Sequence, residues 1–383
     1  MLEGLEPAAT IKAPKDFRPG VIFDGNEGTA TTEGVAELPN FDEFLIERGY
    51  PPEEYEIVGT PRTSQWQQRE GGAWLTSYRF SFRKKVADFD LPTLFATAKK
   101  TKSATNRVKA KANNKALVVI LADFQLFKVD HRGGLEEQLS RIFTAFDALE
   151  AQFKKGNYER IVLSDQGDII EGFDNKMDMQ QLHHGGSIMQ QVDLASSLIW
   201  DIIKRASKHA PVTYATVASN HCQNKVNKQK VGLPGQDDWG SFIAQQMYRL
   251  VQETKLDVQV LIPQPHDESL AYDVFGDEFH ILGLWHGHQS ARPEAVPTWW
   301  EKQTFGNQPV SAASIGITGH FHHLRVQELG LHSNGGSRYW IQGKTMDQGS
   351  SWFRLNSGQD SQPGITCFEL TKGVHFQGSV FNV

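Results

Sequence analysis

Five apolar runs in this chain each stop beside residues able to bind a metal ion, and no other feature constrains the fold as strongly. Ala116-Leu117-Val118-Val119-Ile120-Leu121-Ala122 ends in Asp123-Phe124-Gln125, and Arg160-Ile161-Val162-Leu163-Ser164 runs into Gly167-Asp168-Ile169-Ile170-Glu171. Residues 212–218 lead to Ser219-Asn220-His221, 279–284 to His286-Gly287-His288, and 314–318 to Gly319-His320-Phe321-His322. Short continuous apolar runs read as strands buried on both faces. Residues 135–153 and 187–207 carry the helical period between them. Alternating strands and helices predict an α/β domain with parallel pairing, and such sheets collect their chemistry at the carboxyl ends of the strands. Singly, an Asp at a strand end is a common cap or turn residue, and a lone His is usually structural. The joint order is what argues for a shared site.

The chain before residue 116 reads differently. Residues 1–40 are rich in Gly, Thr, Ala, Pro and Glu without periodicity and are expected to form a flexible arm. Residues 41–95 are expected to form a small α+β module, with a short amphipathic helix from Phe41 and a strand over 74–86. That strand places Trp74, Thr76, Tyr78, Phe80 and Phe82 on one face and Ser77, Arg79, Ser81 and Arg83 on the other. Its aromatics either pack in the module's own core or, beside Arg79, Arg83, Lys84 and Lys85, offer stacking platforms for single-stranded nucleic acid. Residues 96–115 hold seven basic residues and no acid, which suits a linker kept in solvent or a contact to phosphates. The main domain is expected over 116–383.

Charge and composition exclude some classes. With 39 Lys+Arg against 45 Asp+Glu the formal charge is −6, which gives no global reason to expect a nucleic-acid partner. No apolar run reaches membrane-spanning length, so no membrane association is expected. Met1–Pro7 has neither a basic start nor an apolar stretch, and Cys222 and Cys367 are the only cysteines; a cytoplasmic protein is expected. The 14 histidines are the one raised count, and several fall in the motifs above.

The order of those motifs over about 116–325, Gly319-His320-Phe321-His322 above all, resembles the calcineurin-like metallophosphoesterases. The layout is similar to phage-encoded members and, more distantly, to the nuclease subunit of the double-strand-break repair complex. The resemblance implies a β-sandwich flanked by helices, and a hydrolase using two divalent ions, manganese before magnesium, iron or zinc. It implies Asp123, Gln125, Asp168 and His322 around one ion. Asp168 would bridge to the other, held also by Asn220, His286 and His320. On an extended segment His320 and His322 would point the same way and reach different ions. His221 would contact the phosphate and protonate the leaving group, and Glu171 would orient a ligand. The chemistry needs such a centre because a phosphodiester repels an incoming hydroxide; two ions about 3.5–4 Å apart supply neutralisation and a nucleophile.

Two positions depart from the pattern. Gln125 stands where the family usually has His; an amide oxygen is a weaker, harder ligand than imidazole, which implies either a loosely held ion or a preference for a manganese-like ion over zinc. Ser219 stands where it has Gly. Lys128, Arg132, His183 and His184 are candidate substrate contacts, although a surface turn accounts equally for the first two and a solvated loop is the preferred reading of the two histidines. DNA is the first substrate expected, making the chain an exonuclease or endonuclease acting in a cytoplasm, the host's if phage-encoded. The alternatives are a phosphodiesterase or phosphomonoesterase for small molecules, and a non-catalytic metal-binding scaffold. A homodimer is compatible with the sequence, and nothing in it specifies an ATPase partner.

Overall fold

In a computed structural model describing residues 19–23, 27–67, 72–84, 113–172, 186–226, 229–351, 354–355, 358 and 360–383, the chain divides into two units, Met1–Phe89 and Asp90–Val383. The first is an antiparallel sheet of β1 (Gly20–Phe23), β2 (Glu27–Thr31), β3 (Tyr55–Gln67) and β4 (Trp74–Lys84), in the order β1-β2-β4-β3. A helix over Phe41–Ile46 starts at Asn40, whose side-chain oxygen accepts from the amides of Asp42 and Glu43.

Two expectations change here. Strands β1 and β2 form inside the stretch read as an arm, because β3 and β4 alone cannot bury an aromatic face. Ala30 of β2 and Leu45 of the helix close over that face. The aromatic stripe is therefore core: Phe80 and Phe82 are buried and packed with Phe23, Phe41, Tyr50 and Tyr55, while Trp74 alone is largely exposed. Of the basic stretch 96–115, residues 96–112 lie outside the described residues, as do Lys85, His183 and His184; Lys115 opens the first strand of the second unit.

The second unit contains β5 (Lys115–Leu121), β6 (Arg160–Asp165), β7 (Val212–Thr216), a small antiparallel pair β8 (Lys225–Val226) and β9 (Gln229–Lys230), and β10 (Val258–Leu261). It continues with β11 (Ser269–Asp273), β12 (Ile281–Trp285), β13 (Ile315–Thr318), β14 (Arg325–Leu331), β15 (Ser337–Gln342), β16 (Thr366–Thr371) and β17 (Phe381–Asn382). One sheet runs β10-β7-β6-β5-β16-β17, its first four strands parallel; the other runs β11-β12-β13-β15-β14, with β12, β13 and β15 parallel. The two pack face to face through alternate residues. Ala116, Val118 and Ile120 of β5 share one core with Leu282 and Leu284 of β12, Ile315 and Ile317 of β13, and Phe368 of β16.

The intervening residues Leu117, Val119 and Leu121 are equally buried, which is why β5 reads as one unbroken apolar run. Helices over Leu135–Gly156, Ile188–Ser207 and Trp239–Thr254 each bury one apolar stripe. The helix Val296–Phe305 lays Val296 and Trp300 against Trp285 of β12 and Trp340 of β15. Gly316 of β13 permits that approach, since a Cβ there would come within 2.5 Å of the Trp285 ring. The main domain is thus an α/β sandwich flanked by helices. Among the described residues no helix is long and apolar enough to cross a membrane.

Candidate active site

Parallel strands from both sheets end at one place. Asp123 and Gln125 follow β5, Asp168 follows β6, Asn220 and His221 follow β7, His286 follows β12, and His320 and His322 follow β13. Asp347, just beyond β15, joins them from a sixth strand. Five of these residues hold left-handed backbones: Asp123 (φ 50°), Gln125 (φ 43°), Asp168 (φ 50°), His320 (φ 70°) and His322 (φ 61°). Such conformations are costly for residues with a Cβ and persist only where neighbours hold them.

The restraints are visible. The Asp168 amide donates to Ser219 Oγ at 2.8 Å, and the Gln125 amide donates to the Asp168 carbonyl at 2.8 Å. The His320 amide donates to both oxygens of Asp123, at 3.0 and 2.9 Å. Gly319 makes that last contact possible, because a side chain there would overlap the Asp123 carboxylate. The Phe321 amide bonds back to the Gly319 carbonyl, so His320 is the centre of a tight positive-φ turn and the segment is not the extended one expected from its spacing. The two rings still diverge: His320 faces His286, and His322 faces Asp123 and Asp347. Ser219 takes no left-handed backbone and contributes the hydroxyl that holds Asp168.

Four acceptor atoms converge on one point. His286 Nε2 lies 3.0 Å from Asp168 Oδ2, 2.9 Å from Asn220 Oδ1 and 3.2 Å from His320 Nδ1. Its Nδ1 donates to the Gln166 carbonyl at 2.6 Å, which fixes the ring. Asp168 Oδ2 is buried and faces the His286 ring at 3.0 Å without a well-aligned hydrogen bond to any described residue. Asp168, His286 and His320 also form a group whose ligand atoms all lie within 4.8 Å of one another.

With only protons to share, the group is strained electrostatically. Burial opposes a charge on His286, yet the Asp168 carboxylate outweighs it and lifts the ring to about 9. Burial and the neighbouring His286 drop His320 to about 2. Burial would raise Asp168, but the charges of His286 and His221 hold it well below the usual carboxylate range. A single proton on His286 Nε2 then faces three acceptors. One divalent cation satisfies all four atoms, and carboxylate, amide oxygen and two imidazoles are a sound donor set for manganese, iron or zinc. The residues therefore fit one ion.

The surroundings of Gln125 differ. Lys128 Nζ donates to Gln125 Oε1 at 2.7 Å and to Asp347 Oδ2 at 2.5 Å. Gln125 Nε2 lies 3.1 Å from His221 Nε2. Both ends of the amide are thus engaged. Lys128 is 5% exposed and Asp347 0%, so this is a buried ion pair and not the surface turn considered for Lys128. Burial works against the ammonium, but Asp347 and Glu171 outweigh it and raise its pKa. Asp347 also meets His322 Nδ1 at 3.0 Å; against burial, Asp347 and Asp123 together lift His322 to about 10.

His221 donates from Nδ1 to the Glu171 carbonyl at 2.9 Å, with the Glu171 carboxylate at 3.3 Å, and its amide donates to Asp168 Oδ1 at 2.8 Å. Burial opposes its charge, while Asp168 and Glu171 raise its pKa. His288 turns away to Glu268 at 3.3 Å, and His323 is taken up by Arg325 and the Phe321 carbonyl. Cys222 is buried, and burial pushes its thiol up. A cleft of about 560 Å³ opens beside His322 and Asp347 and is lined also by Arg132 and Arg325. Arg132 pairs with Asp360 at 2.5 Å, and Arg325 with Glu294 at 3.0 Å. Sequence reasoning missed Asp347: it follows an ordinary strand by five residues, with no motif of its own.

No family model matches the chain, and no curated protein matches it in sequence. Among solved structures it is similar to Vps29 complexed with Zn2+ from Entamoeba histolytica, at 13% identity and a TM-score of 0.30, over 70% of this chain and 97% of that one. It is also similar to a conserved uncharacterized protein, a predicted phosphoesterase, from Streptococcus pneumoniae TIGR4, at 9% identity and a TM-score of 0.27, over 71% of this chain and 100% of that one. Neither likeness bears on the chemistry of the site.

Proposed function

We propose that the chain is a metal-dependent phosphoesterase of the calcineurin-like type that hydrolyses phosphodiesters, with DNA as the first substrate to test. The observation that carries this reading is the convergence of Asp168 Oδ2, Asn220 Oδ1, His286 Nε2 and His320 Nδ1 on one point. A divalent ion held by these residues supplies Lewis-acid neutralisation of a phosphoryl anion.

The chain's own groups do the rest. Asn220 and His320 present neutral donors, so Asp168 would be the one anionic group among the four that hold the ion. His221, one residue beyond Asn220, is anchored through Nδ1 and directs Nε2 into the site, where it would pass a proton to the leaving oxygen. In the resting site Nε2 accepts from the Gln125 amide and so carries no proton; substrate must displace that bond and the ring must take up a proton, which its raised pKa favours, before it can pass one to the leaving oxygen. Glu171 positions the ring through its carbonyl and carboxylate.

Support for DNA is narrower than the aromatic stripe suggested, because Phe80 and Phe82 are interior. What the N-terminal sheet offers a polyanion is exposed Trp74, with exposed Arg62 paired in register opposite Arg79. Incubation with single- and double-stranded DNA and with bis-p-nitrophenyl phosphate in manganese separates the readings. Cleavage of DNA supports the nuclease. Turnover of the chromogenic ester or cyclic nucleotides alone supports a small-molecule phosphodiesterase. A metal-loaded chain that turns over no phosphoester is a scaffold and refutes the enzyme.

A further inference from the structure

The group around Gln125 does not fit a second ion as the group around His286 fits the first. We propose that the Lys128 ammonium takes the place of that second ion's charge, so that the chain holds one divalent ion, at Asp168, Asn220, His286 and His320. The inference rests on the metal-binding reading above and departs from the two-ion centre that the sequence resemblance implies.

The argument is one of ligand atoms. The only atom of Gln125 able to bind a cation is Oε1, and it receives the Lys128 ammonium at 2.7 Å. An amide whose oxygen is fixed by a donor must turn its NH2 the other way, and that NH2 is the group found 3.1 Å from His221 Nε2. Releasing Oε1 to an ion would leave the buried ammonium with Asp347 alone. The ammonium itself is almost wholly buried, held on its second side by Asp347 Oδ2 at 2.5 Å.

Charge leads to the same place. Asp123, Asp168, Glu171 and Asp347 are four buried carboxylates around the centre, and one ammonium offsets one of them. A divalent ion at the His286 group offsets two more. A second divalent ion would overshoot this balance beside a fixed ammonium, at a cost that no remaining ligand offsets. Lys128 also lies only one helical-turn spacing from Gln125 in sequence, so the exchange of His for Gln and the presence of Lys three residues later act as one device. The Gln keeps a neutral acceptor for the ammonium that an imidazole, already using its ring nitrogens toward ions, would not.

The test counts ions. Purified chain is loaded with excess Mn2+, desalted, and measured by elemental analysis and by electron paramagnetic resonance. The expected result is one Mn2+ per chain with an uncoupled six-line spectrum. Gln125→His alone, with Lys128 in place, is expected to stay at one; Gln125→His combined with Lys128→Met is expected to rise to two, with exchange coupling between the ions. Circular dichroism melting confirms that each variant is folded, and the wild-type count stands by itself if the double variant is not. Two coupled ions in the wild type overturn this inference and leave the phosphoesterase reading intact. A folded double variant that stays at one ion also overturns it. No bound ion in the wild type overturns the metal-binding reading, and this inference with it.

Discussion

Replacing Asp347 by Asn tests whether the Lys128–Asp347 contact is the buried ion pair described. The substitution keeps the shape and one acceptor but removes the charge that faces Lys128 Nζ at 2.5 Å and His322 Nδ1 at 3.0 Å. Two unit charges that close attract by about 6–7 kcal/mol at an effective dielectric of about 20, and desolvation of both groups offsets much of this. Removing one partner leaves the other's desolvation uncompensated, which in buried pairs costs about 3–5 kcal/mol. Since Gln125 Oε1 still holds the ammonium, Asp347→Asn is expected at the lower end, about 3 kcal/mol. Lys128→Met leaves Asp347 with His322 and is expected to cost about 2 kcal/mol. The double variant has neither orphaned charge and should lose less than the sum of the two, by about 2 kcal/mol. The assay is urea denaturation of metal-free protein at neutral pH, followed by near-ultraviolet dichroism, with the three variants forming a double-mutant cycle. If the two single losses simply add, within about 0.5 kcal/mol, the pair is not coupled and the reasoning fails.

Three other outcomes follow from the same geometry. His221→Ala should lower phosphodiester turnover by about 10²–10⁴-fold while the bound Mn2+ count stays unchanged, because the ring moves a proton and binds no ion; loss of the ion with the activity would make His221 a ligand instead. Gly316→Ala should destabilise the sandwich by about 1–3 kcal/mol in chemical denaturation, since its Cβ would lie 2.5 Å from the Trp285 ring and 2.9 Å from Trp300; a neutral effect would mean that the helix Val296–Phe305 shifts freely. Glu268 is held down from 4.5 to about 2, first by its hydrogen bond with His288 and against burial. A depressed acid stabilises the fold above its unfolded pKa, and that contribution drains away as pH falls from about 4.5 toward 2. Glu268→Gln should therefore flatten the acid limb of a melting-temperature profile in that window, by about 1 kcal/mol once solvent screening is allowed for; an unchanged limb would show that the contact carries no linkage.

Five strands of the two sheets were legible in the sequence because residues buried on both faces leave an unbroken apolar signature, and each such run ends where its polar residues begin. Lys115–Leu121 and Ile281–Trp285 are separated by more than a hundred residues, yet both announce themselves this way. The N-terminal sheet was only half legible. Its β4 alternates openly, but β2 is built from Gly28, Thr29 and Ala30, whose small side chains are chosen for close approach to β4 and read as arm-like composition. The same strand shows why alternation alone could not decide between a stacking platform and a core: the pattern Phe80-Ser81-Phe82 is identical for both, and only the partner covering the face distinguishes them.

The site divides along a similar line. The residues whose ligand atoms converge, Asp168, Asn220, His286 and His320, could be named from order, because the motif encodes both the residue and the strand end that presents it. Asp347 and Lys128 could not be named that way. Asp347 acts through a contact spanning 219 residues of sequence, and its own surroundings are an unremarkable Thr345-Met346-Asp347. Lys128 looks like a surface cation until the carboxylate that accepts it is known, and neither residue means anything without the other. The exchange of His for Gln at position 125 was visible, but as a weakened ligand. With the ammonium on its oxygen and His221 on its nitrogen, the same amide is a spacer between a buried positive charge and the imidazole, and position 125 reads as part of a hydrogen-bond chain instead of as a poor ligand.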